Sequence, residues 1–511
     1  MSLACTRSVA LLGVDGHIVE VEAHLGGGPA GVTLVGLPDA ALREARDRIR
    51  AAVINSGEVW PDDHITISLS PASLPKSGSG FDLAIAAAVM GASGVAPVDS
   101  LSGAVFLAEV ALDGRVRPVP GVLPAVLAAA RGGYSRFVVA RRNAAEARLV
   151  PDVEIVAVGS LEELFAWLRG EAVSAPSDDE ESTERSAPAE AISAPRPDLA
   201  DVLGQPVARR AVEIAAAGGH NLLLLGPPGT GKSLLAERLP TLLPGLSMEE
   251  SLEVTAVHSV ADALPENAPL VTEPPFCAPH HTATRAAVIG GGSGRVRPGC
   301  VSLAHRGALF VDEAPEFGRG VLESLRQPLE TGTVVVSRSA ATVRFPARFL
   351  LVLAANPCPC GKPGNACTCS SPQRRRYLGR LSGPLLDRVD LKVELQPVAR
   401  AELLADRAFA ESSATVVERV SRARERCGHR LAGTPWSTNA EIPGAELRRR
   451  FPVSDAALRV LAAAMERGEI SARGVDRALR VAWSLADLAG RPEPGCDDTA
   501  YAFALWTGRA Q

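Results

Sequence analysis

Eight consecutive residues carry the most specific chemistry in the chain. Gly226-Pro227-Pro228-Gly229-Thr230-Gly231-Lys232-Ser233 fits the spacing G-x-x-x-x-G-K-[ST]. Glycines at these positions let backbone N–H groups wrap phosphate oxygens. Lys232 then reaches the β- and γ-phosphates, and the Ser233 hydroxyl becomes a ligand for Mg²⁺. About eighty residues further on, Leu309-Phe310-Val311 runs into Asp312 and Glu313. Asp312 would hold Mg²⁺ through water, and Glu313 would orient and deprotonate an attacking water. Asn356 closes a third apolar run, Leu350 to Ala355, from which its amide would hold that water from the other side; the plainer reading is a strand-ending turn before Pro357. Two arginines, Arg388 and Arg473, are candidates to stabilise transition-state charge, and a neighbouring subunit is a usual source of such a cation. Together these groups describe hydrolysis of a nucleoside triphosphate.

A second cluster is made of sulfur. Of nine cysteines, Cys358, Cys360, Cys367 and Cys369 fall within one Gly/Pro/Asn-rich loop. Four thiolates suit tetrahedral Zn²⁺ and would stiffen a loop that has no core of its own; free thiols or redox chemistry are the alternatives. The loop feeds Arg374-Arg375-Arg376 and Arg380, either a DNA-facing surface or a solvated face.

The elements that must position these groups follow from apolar patterning. Asn221–Leu225, Ala308–Val311 and Phe349–Ala354 read as buried strands, with a helix after the phosphate loop. That alternation predicts a mostly parallel sheet covered by helices. Thr333 to Phe349 alternates about Ser339-Ala340-Ala341, which predicts a hairpin carrying Arg338, Arg344 and Arg348. On a hairpin facing a pore these arginines would track phosphates without reading sequence; the alternative is an ordinary hairpin with solvated charges. Beyond about Val398 the pattern is helical and rich in Arg and Ala, as in a separate helical lid. Before it, residues 1–170 mix strands (Ile65–Leu69, Phe137–Val139) with helices (Asp39–Ser56, Phe81–Met90, Ser160–Arg169). Residues 171–197 are rich in Ser, Pro, Ala and acid and have little to bury, as expected of a flexible linker. The expected layout is therefore 1–170, linker 171–197, nucleotide-binding core 198–397 and lid 398–511, an α/β chain throughout.

Composition sets the remaining bounds. The chain has 511 residues, 46% hydrophobic and 22% charged, the balance of a folded chain of several domains. Its formal charge is −5, so contact with nucleic acid must come from a local basic surface. No apolar run reaches the ~18–20 residues of a membrane span, and the first residues do not have the pattern of a signal peptide, so the cytoplasm is expected.

The order of these motifs resembles the AAA+ ATPases, more narrowly their magnesium-chelatase-like branch and within it the YifB/ComM family. The resemblance spans nearly the whole chain. It is carried by Val35-Gly-Leu-Pro-Asp39, Leu74-Pro-Lys-Ser-Gly-Ser-Gly-Phe-Asp82, Ala278-Pro-His-His281, Gly290-Gly-Gly292, Arg326-Gln-Pro-Leu-Glu330, Asn356-Pro-Cys-Pro-Cys-Gly361 and Leu381-Ser-Gly-Pro-Leu-Leu-Asp-Arg388. It implies that Asn356 is sensor 1, Arg388 a trans-acting arginine finger, Arg473 sensor 2, and that Gln205 lies by the adenine. It implies a helix insert over Phe276 to Gly294 with His280 and His281 on a pore-facing loop. It further implies a hexameric ring and ATP-driven helicase or branch-migration work on DNA in recombination or transformation. Chelatase-type and protein-remodelling ATPases acting through partner proteins are the rival readings.

Residues 1–170 resemble the Lon protease domain, through the Leu74-Pro-Lys-Ser-Gly-Ser-Gly segment and Leu112-Asp-Gly-Arg-Val-Arg-Pro-Val-Pro-Gly121. Gly80 stands at the nucleophile position and Leu123 at the lysine position. Ser77, Ser79 and Lys76 are near but out of register, so a substrate-guiding or ring-stabilising role is expected there, without proteolysis.

Overall fold

In the computed structural model, the residues described are 3–37, 39–171, 197–265, 269–292, 295–338, 342–362, 366–398, 406 and 410–510. The expected linker falls almost entirely outside them. The strands that position the nucleotide motifs are short and apolar along their whole length: Leu222–Leu225, Ala308–Val311 and Leu350–Ala355. Such runs are suited to a sheet covered on both faces. They form a five-stranded, all-parallel sheet in the order Phe276–Cys277, Ala308–Val311, Leu350–Ala355, Leu222–Leu225, Leu391–Glu394. The strands begin and end within one residue of the positions expected from sequence.

Parallel strands bring all their carboxyl ends to one edge. Leu225 is in register with Ala355, and Val311 with Leu353, so Gly226, Asp312 and Asn356 emerge side by side. On one face, Leu222 and Leu224 join Val352, Ala354, Leu391 and Val393 in a buried core. Burying a leucine fully contributes roughly 1.5–3 kcal/mol. The same core takes in Val416, Val420, Leu461, Leu479 and Leu505 from the C-terminal helices Ser413–Leu431, Asp455–Glu466, Ala472–Ala489 and Cys496–Thr507. The helical segment thus shares its core with the sheet. Ser412, Ser454 and Ser471 cap three of these helices. The opposite face packs Leu351 and Leu353 against Phe317, Leu322 and Leu385.

Residues 3–168 build a separate seven-stranded mixed sheet in the order Gly31–Val35, His64–Ser70, Asp15–Gly26, Leu3–Leu12, Ala104–Leu107, Arg136–Ala140, Glu154–Val158. The expected helices form, Ala40–Asn55 capped by Asp39 and Leu161–Leu168 capped by Ser160. Asp82–Ala92 is buried along its whole length and sits against the sheet. One contact between this body and the nucleotide-binding part is a buried carboxylate. Glu146 accepts hydrogen bonds from Leu123 N (2.8 Å) and Ser259 Oγ, while Ser259 Oγ accepts one from Gly121 N. The hairpin expected over Thr333 to Phe349 also forms, pairing Thr333–Ser337 with Thr342–Pro346. Its Val343 and Phe345 are buried with Val260 against Leu11 and Val14 of the N-terminal body. Residues 339–341, its expected turn, lie outside the described residues.

Candidate functional site

The carboxyl edge of the parallel sheet gathers the phosphate motif, the two carboxylates and Asn356. Gly229 and Gly231 adopt φ of +78° and +90°, a region that favours glycine. An added Cβ at either would meet nothing within 4 Å, so the loop is an open cradle of backbone. The Lys232 ammonium is drawn into it by the carbonyls of Gly226 (2.7 Å) and Pro227 (2.9 Å) and by Asn356 Oδ1 (3.1 Å). Burial lowers the pKa of Lys232, with Asp312 and Glu313 opposing. Ser233 Oγ donates to Asp312 Oδ2 at 2.8 Å, which brings two hard oxygen donors together. Thr230 is buried, its hydroxyl on Pro227 O.

Glu313 is held at φ +49°, an uncommon conformation for a non-glycine residue. Its carboxylate faces His281, with Nδ1 3.4 Å from Oε2, and His281 lies beside His280 with ring centroids 4.1 Å apart and planes tilted by 34°. Sequence reasoning assigned this pair no role at the nucleotide; only the position of Ala278-Pro-His-His281 just after an edge strand could have hinted at one. The expected helix insert contains one short helix, Arg285–Ile289. Gln205 caps the Pro206–Gly218 helix from a left-handed conformation, its amide donating to Gln396 O (2.5 Å) and Thr230 O (3.4 Å). It therefore tethers the phosphate loop.

Arg388 and Arg473 lie elsewhere. Both line a cavity of about 1070 Å³ whose walls include Asn221, Gly307, Leu350 and Asp390. These residues stand at the amino ends of the parallel strands, so this is the opposite edge of the sheet. Four residues of strand at ~3.3 Å each separate it from the phosphate loop. Asn221 fixes the arrangement, donating to Arg388 O (2.8 Å) and accepting from Leu351 N (2.8 Å). Arg388 pairs with Glu330, while its Nε is buried with no acceptor among the described residues. Burial lowers its pKa, and so does the field of Arg326, Arg477 and Arg473. Arg473 is exposed. Beneath them is a buried network that sequence reasoning missed: Asp390 binds Arg477 (2.5 Å) and His220 (3.2 Å), and His220 binds Ser484 (2.7 Å). Burial acts to raise the pKa of Asp390, but Arg477 and His220 hold it well below the usual carboxylate range.

The three hairpin arginines separate. Arg344 is exposed on the strand that alternates with buried Val343 and Phe345. Arg338 lies at the hairpin's end against Gly291, and Arg348 lines the amino-edge cavity. The four loop thiols converge: Cys358 Sγ is 3.3 Å from Cys360 Sγ and 3.4 Å from Cys367 Sγ, and all four sulfurs lie within 4.8 Å of one another. The N–H of Lys362 and the Cys358 thiol hold Cys360 down at about 6. In the N-terminal body, Lys76 is buried with its ammonium on Pro71 O, and Ser79 donates to Glu109. Leu123 is wholly buried.

Comparison with known proteins gives three family matches along the chain. The family described as "Magnesium chelatase, subunit ChlI" matches residues 198–403, "Subunit ChlI of Mg-chelatase" matches 21–143, and "Magnesium chelatase, subunit ChlI C-terminal" matches 410–505. The chain is 52% identical to the uncharacterized protein Rv2897c of Mycobacterium tuberculosis over 506 residues, 99% of each chain. It is 41% identical to the uncharacterized protein YifB of Escherichia coli, covering 96% of this chain and 94% of that one. It is 42% identical to the competence protein ComM of Haemophilus influenzae, covering 96% and 95%. With an all-parallel sheet that presents its phosphate loop and acidic pair at one edge, the chain belongs to the YifB/ComM family of magnesium-chelatase-like AAA+ proteins.

Proposed function

We propose that this protein is an ATP-hydrolysing motor that works as a homo-oligomeric, hexameric ring on single-stranded or branched DNA, as a helicase or branch-migration factor in recombination or transformation. The observation that carries the reading is the division of the site. The groups that would bind and attack the nucleotide stand at one edge of the sheet, and Arg388 and Arg473 stand at the other. No single chain can close its own site, whereas a neighbour's amino edge can cover a carboxyl edge.

In this mechanism the loop from Gly226 to Ser233 grips the phosphates, and Lys232 exchanges its carbonyl partners for β- and γ-phosphate oxygens. Ser233 and Asp312 fit Mg²⁺ as oxygen donors; when bound, the ion would neutralise charge on the β- and γ-oxygens. Glu313 accepts the proton of the attacking water, and Asn356 orients that water from the adjacent strand end. Arg388 and Arg473 of a neighbouring chain stabilise the charge that develops on the transferred phosphoryl group. Zn²⁺ at Cys358, Cys360, Cys367 and Cys369 is a second, structural metal. Gln205 lies on the adenine side of the loop it tethers.

We read the chain as a non-catalytic N-terminal domain 1–170, linker 171–197, ATPase core 198–397 and helical lid 398–511, acting in the cytoplasm. None of the described helices is long and apolar enough to cross a membrane. The DNA reading is supported by ComM's name as a competence protein and by exposed Arg344 and Arg338 on the hairpin. A second reading, a chelatase-type or protein-remodelling ATPase working through partner proteins, is supported by the three ChlI matches. The test is steady-state ATP hydrolysis with and without single-stranded, forked and four-way-junction DNA at two salt concentrations, with Glu313→Gln as the blank. Salt-sensitive stimulation by DNA is expected. A basal rate indifferent to every DNA would select the second reading.

A further inference from the structure

The cysteine loop occupies a position from which a metal bound there would affect catalysis. It begins two residues after Asn356, whose amide holds Lys232 at 3.1 Å. Within it, Gly361 at φ +65° presses on the phosphate loop so closely that an added Cβ would stand 2.8 Å from Pro228 Cγ. The loop leads into the helix Ser371–Leu378, and just beyond that helix Arg380 donates to Pro315 O (2.9 Å) and pairs with Glu316 (3.2 Å), three residues past Glu313. One segment thus touches the phosphate loop, the sensor asparagine and the turn after the catalytic glutamate. Yet it has almost nothing apolar to hold its shape: between Pro357 and Ser370, Cys358 is the one buried apolar side chain among the described residues.

The sulfur geometry supplies what the core does not. Tetrahedral Zn²⁺ with Zn–S bonds of ~2.3 Å sets its sulfurs about 3.8 Å apart. The separations among Cys358, Cys360 and Cys367 are 3.3, 3.4 and 3.7 Å, and none is a disulfide bond. A disulfide framework would pair the thiols in twos; these four converge on one point. Binding releases up to four thiol protons and leaves a closed, four-coordinate site with no open position, the form of a structural site.

Resting on the ATPase reading and deepening it, we propose that Zn²⁺ at these four thiolates is the element that sets the nucleotide site, so that metal occupancy controls ATP turnover. The loaded loop holds Asn356 and Pro228 in the geometry needed for attack. The emptied loop leaves nucleotide binding largely intact and slows hydrolysis. Loss of metal to a strong thiol ligand or a peroxide would thereby turn the motor down without altering any residue that contacts ATP.

The experiment uses the full chain purified under reducing conditions. Elemental analysis is expected to give one zinc per chain, falling below a tenth of that in Cys367→Ser/Cys369→Ser. Replacement by Co²⁺ is expected to give the intense visible bands of a tetrahedral thiolate site, a readout independent of activity. Wild-type protein is then stripped with a thiol-blocking mercurial and chelator, reduced, and reloaded, with circular dichroism confirming that it stays folded. Stripping is expected to lower kcat about tenfold, to change the affinity for a fluorescent ATP analogue less than threefold, and to be reversed by Zn²⁺ but not by Mg²⁺. Absence of metal, or an iron–sulfur chromophore in place of zinc, would overturn the proposal. So would stoichiometric zinc whose removal leaves kcat unchanged. If the zinc-loaded protein hydrolyses no ATP under any condition, the ATPase reading fails, while the stoichiometry and cobalt spectrum still report on the site itself.

Discussion

The two edges of the parallel sheet are built on different principles. At the carboxyl edge the functional groups are held lightly. Gly229 and Gly231 face open space, Ser233 and Asp312 meet through one hydrogen bond, and Glu313 is half exposed beside His281. At the amino edge the arginines stand on a rigid base of Asn221, Asp390, His220 and Arg477, all tied to strand ends or to the C-terminal helices. Under the proposed function, the difference separates groups that adapt to a nucleotide from groups that present a fixed charge to a neighbouring copy. Arg388 Nε and Arg480 Nε are buried there with no acceptor among the described residues, as an edge completed by a second copy would require under the proposed function.

The comparison can be broken at either edge. The largest effect is expected from Glu313→Gln: loss of the proton acceptor should lower ATP turnover about 10³-fold with nucleotide binding retained, measured by coupled assay and by titration. Arg388→Ala should cost about 10²-fold or more. Mixing Arg388→Ala chains with Lys232→Ala chains should recover part of the activity, because each supplies the edge the other lacks; no recovery from any ratio would place Arg388 in its own chain's site. Asp390→Ala should destabilise the fold by about 3 kcal/mol by stranding Arg477 and His220, read by urea denaturation. In the native chain the depressed Asp390 pKa contributes stability that is present above the ordinary aspartate value of about 4 and is lost as the pH falls below it. Acid denaturation of Asp390→Asn should lack that component. His281→Ala should reduce kcat only several-fold while leaving KM unchanged, by freeing Glu313 to sample other orientations. The smallest effect belongs to Arg344→Ala, which should lower the salt slope of DNA affinity by about one unit with basal ATP turnover unaltered.

How much of this could be read from sequence follows the same division. The carboxyl edge was legible because its residues are contiguous or terminate apolar runs. A strand ending fixes where Asp312 and Asn356 project, and parallel pairing brings the ends together. The amino edge was legible only as two isolated arginines. Its base consists of single buried polar residues, His220, Asp390 and Ser484, widely separated along the chain, and no local pattern announces such a contact. Reading Arg338, Arg344 and Arg348 as one set also proved too simple: Arg348 follows the last paired residue and turns into the cavity, while Arg344 stays on the strand. The placement of His281 required knowing which way a loop turns after a two-residue edge strand, which periodicity does not encode.

The hairpin's mounting has a mechanical consequence. Its inner side chains, Val343 and Phe345, are sandwiched against Leu11 and Val14, and Gly13 admits no side chain because Arg344 O would lie 2.5 Å from an added Cβ. A hairpin seated this way is not a free finger. Under the proposed motor reading, moving the hairpin means carrying the N-terminal body with it or breaking the Val343 and Phe345 contacts, so viscous drag on some 170 residues would resist the stroke. Under that reading the N-terminal body is the load the hairpin must drag, and the Glu146–Ser259 hydrogen bond is one of the ties that couple the two.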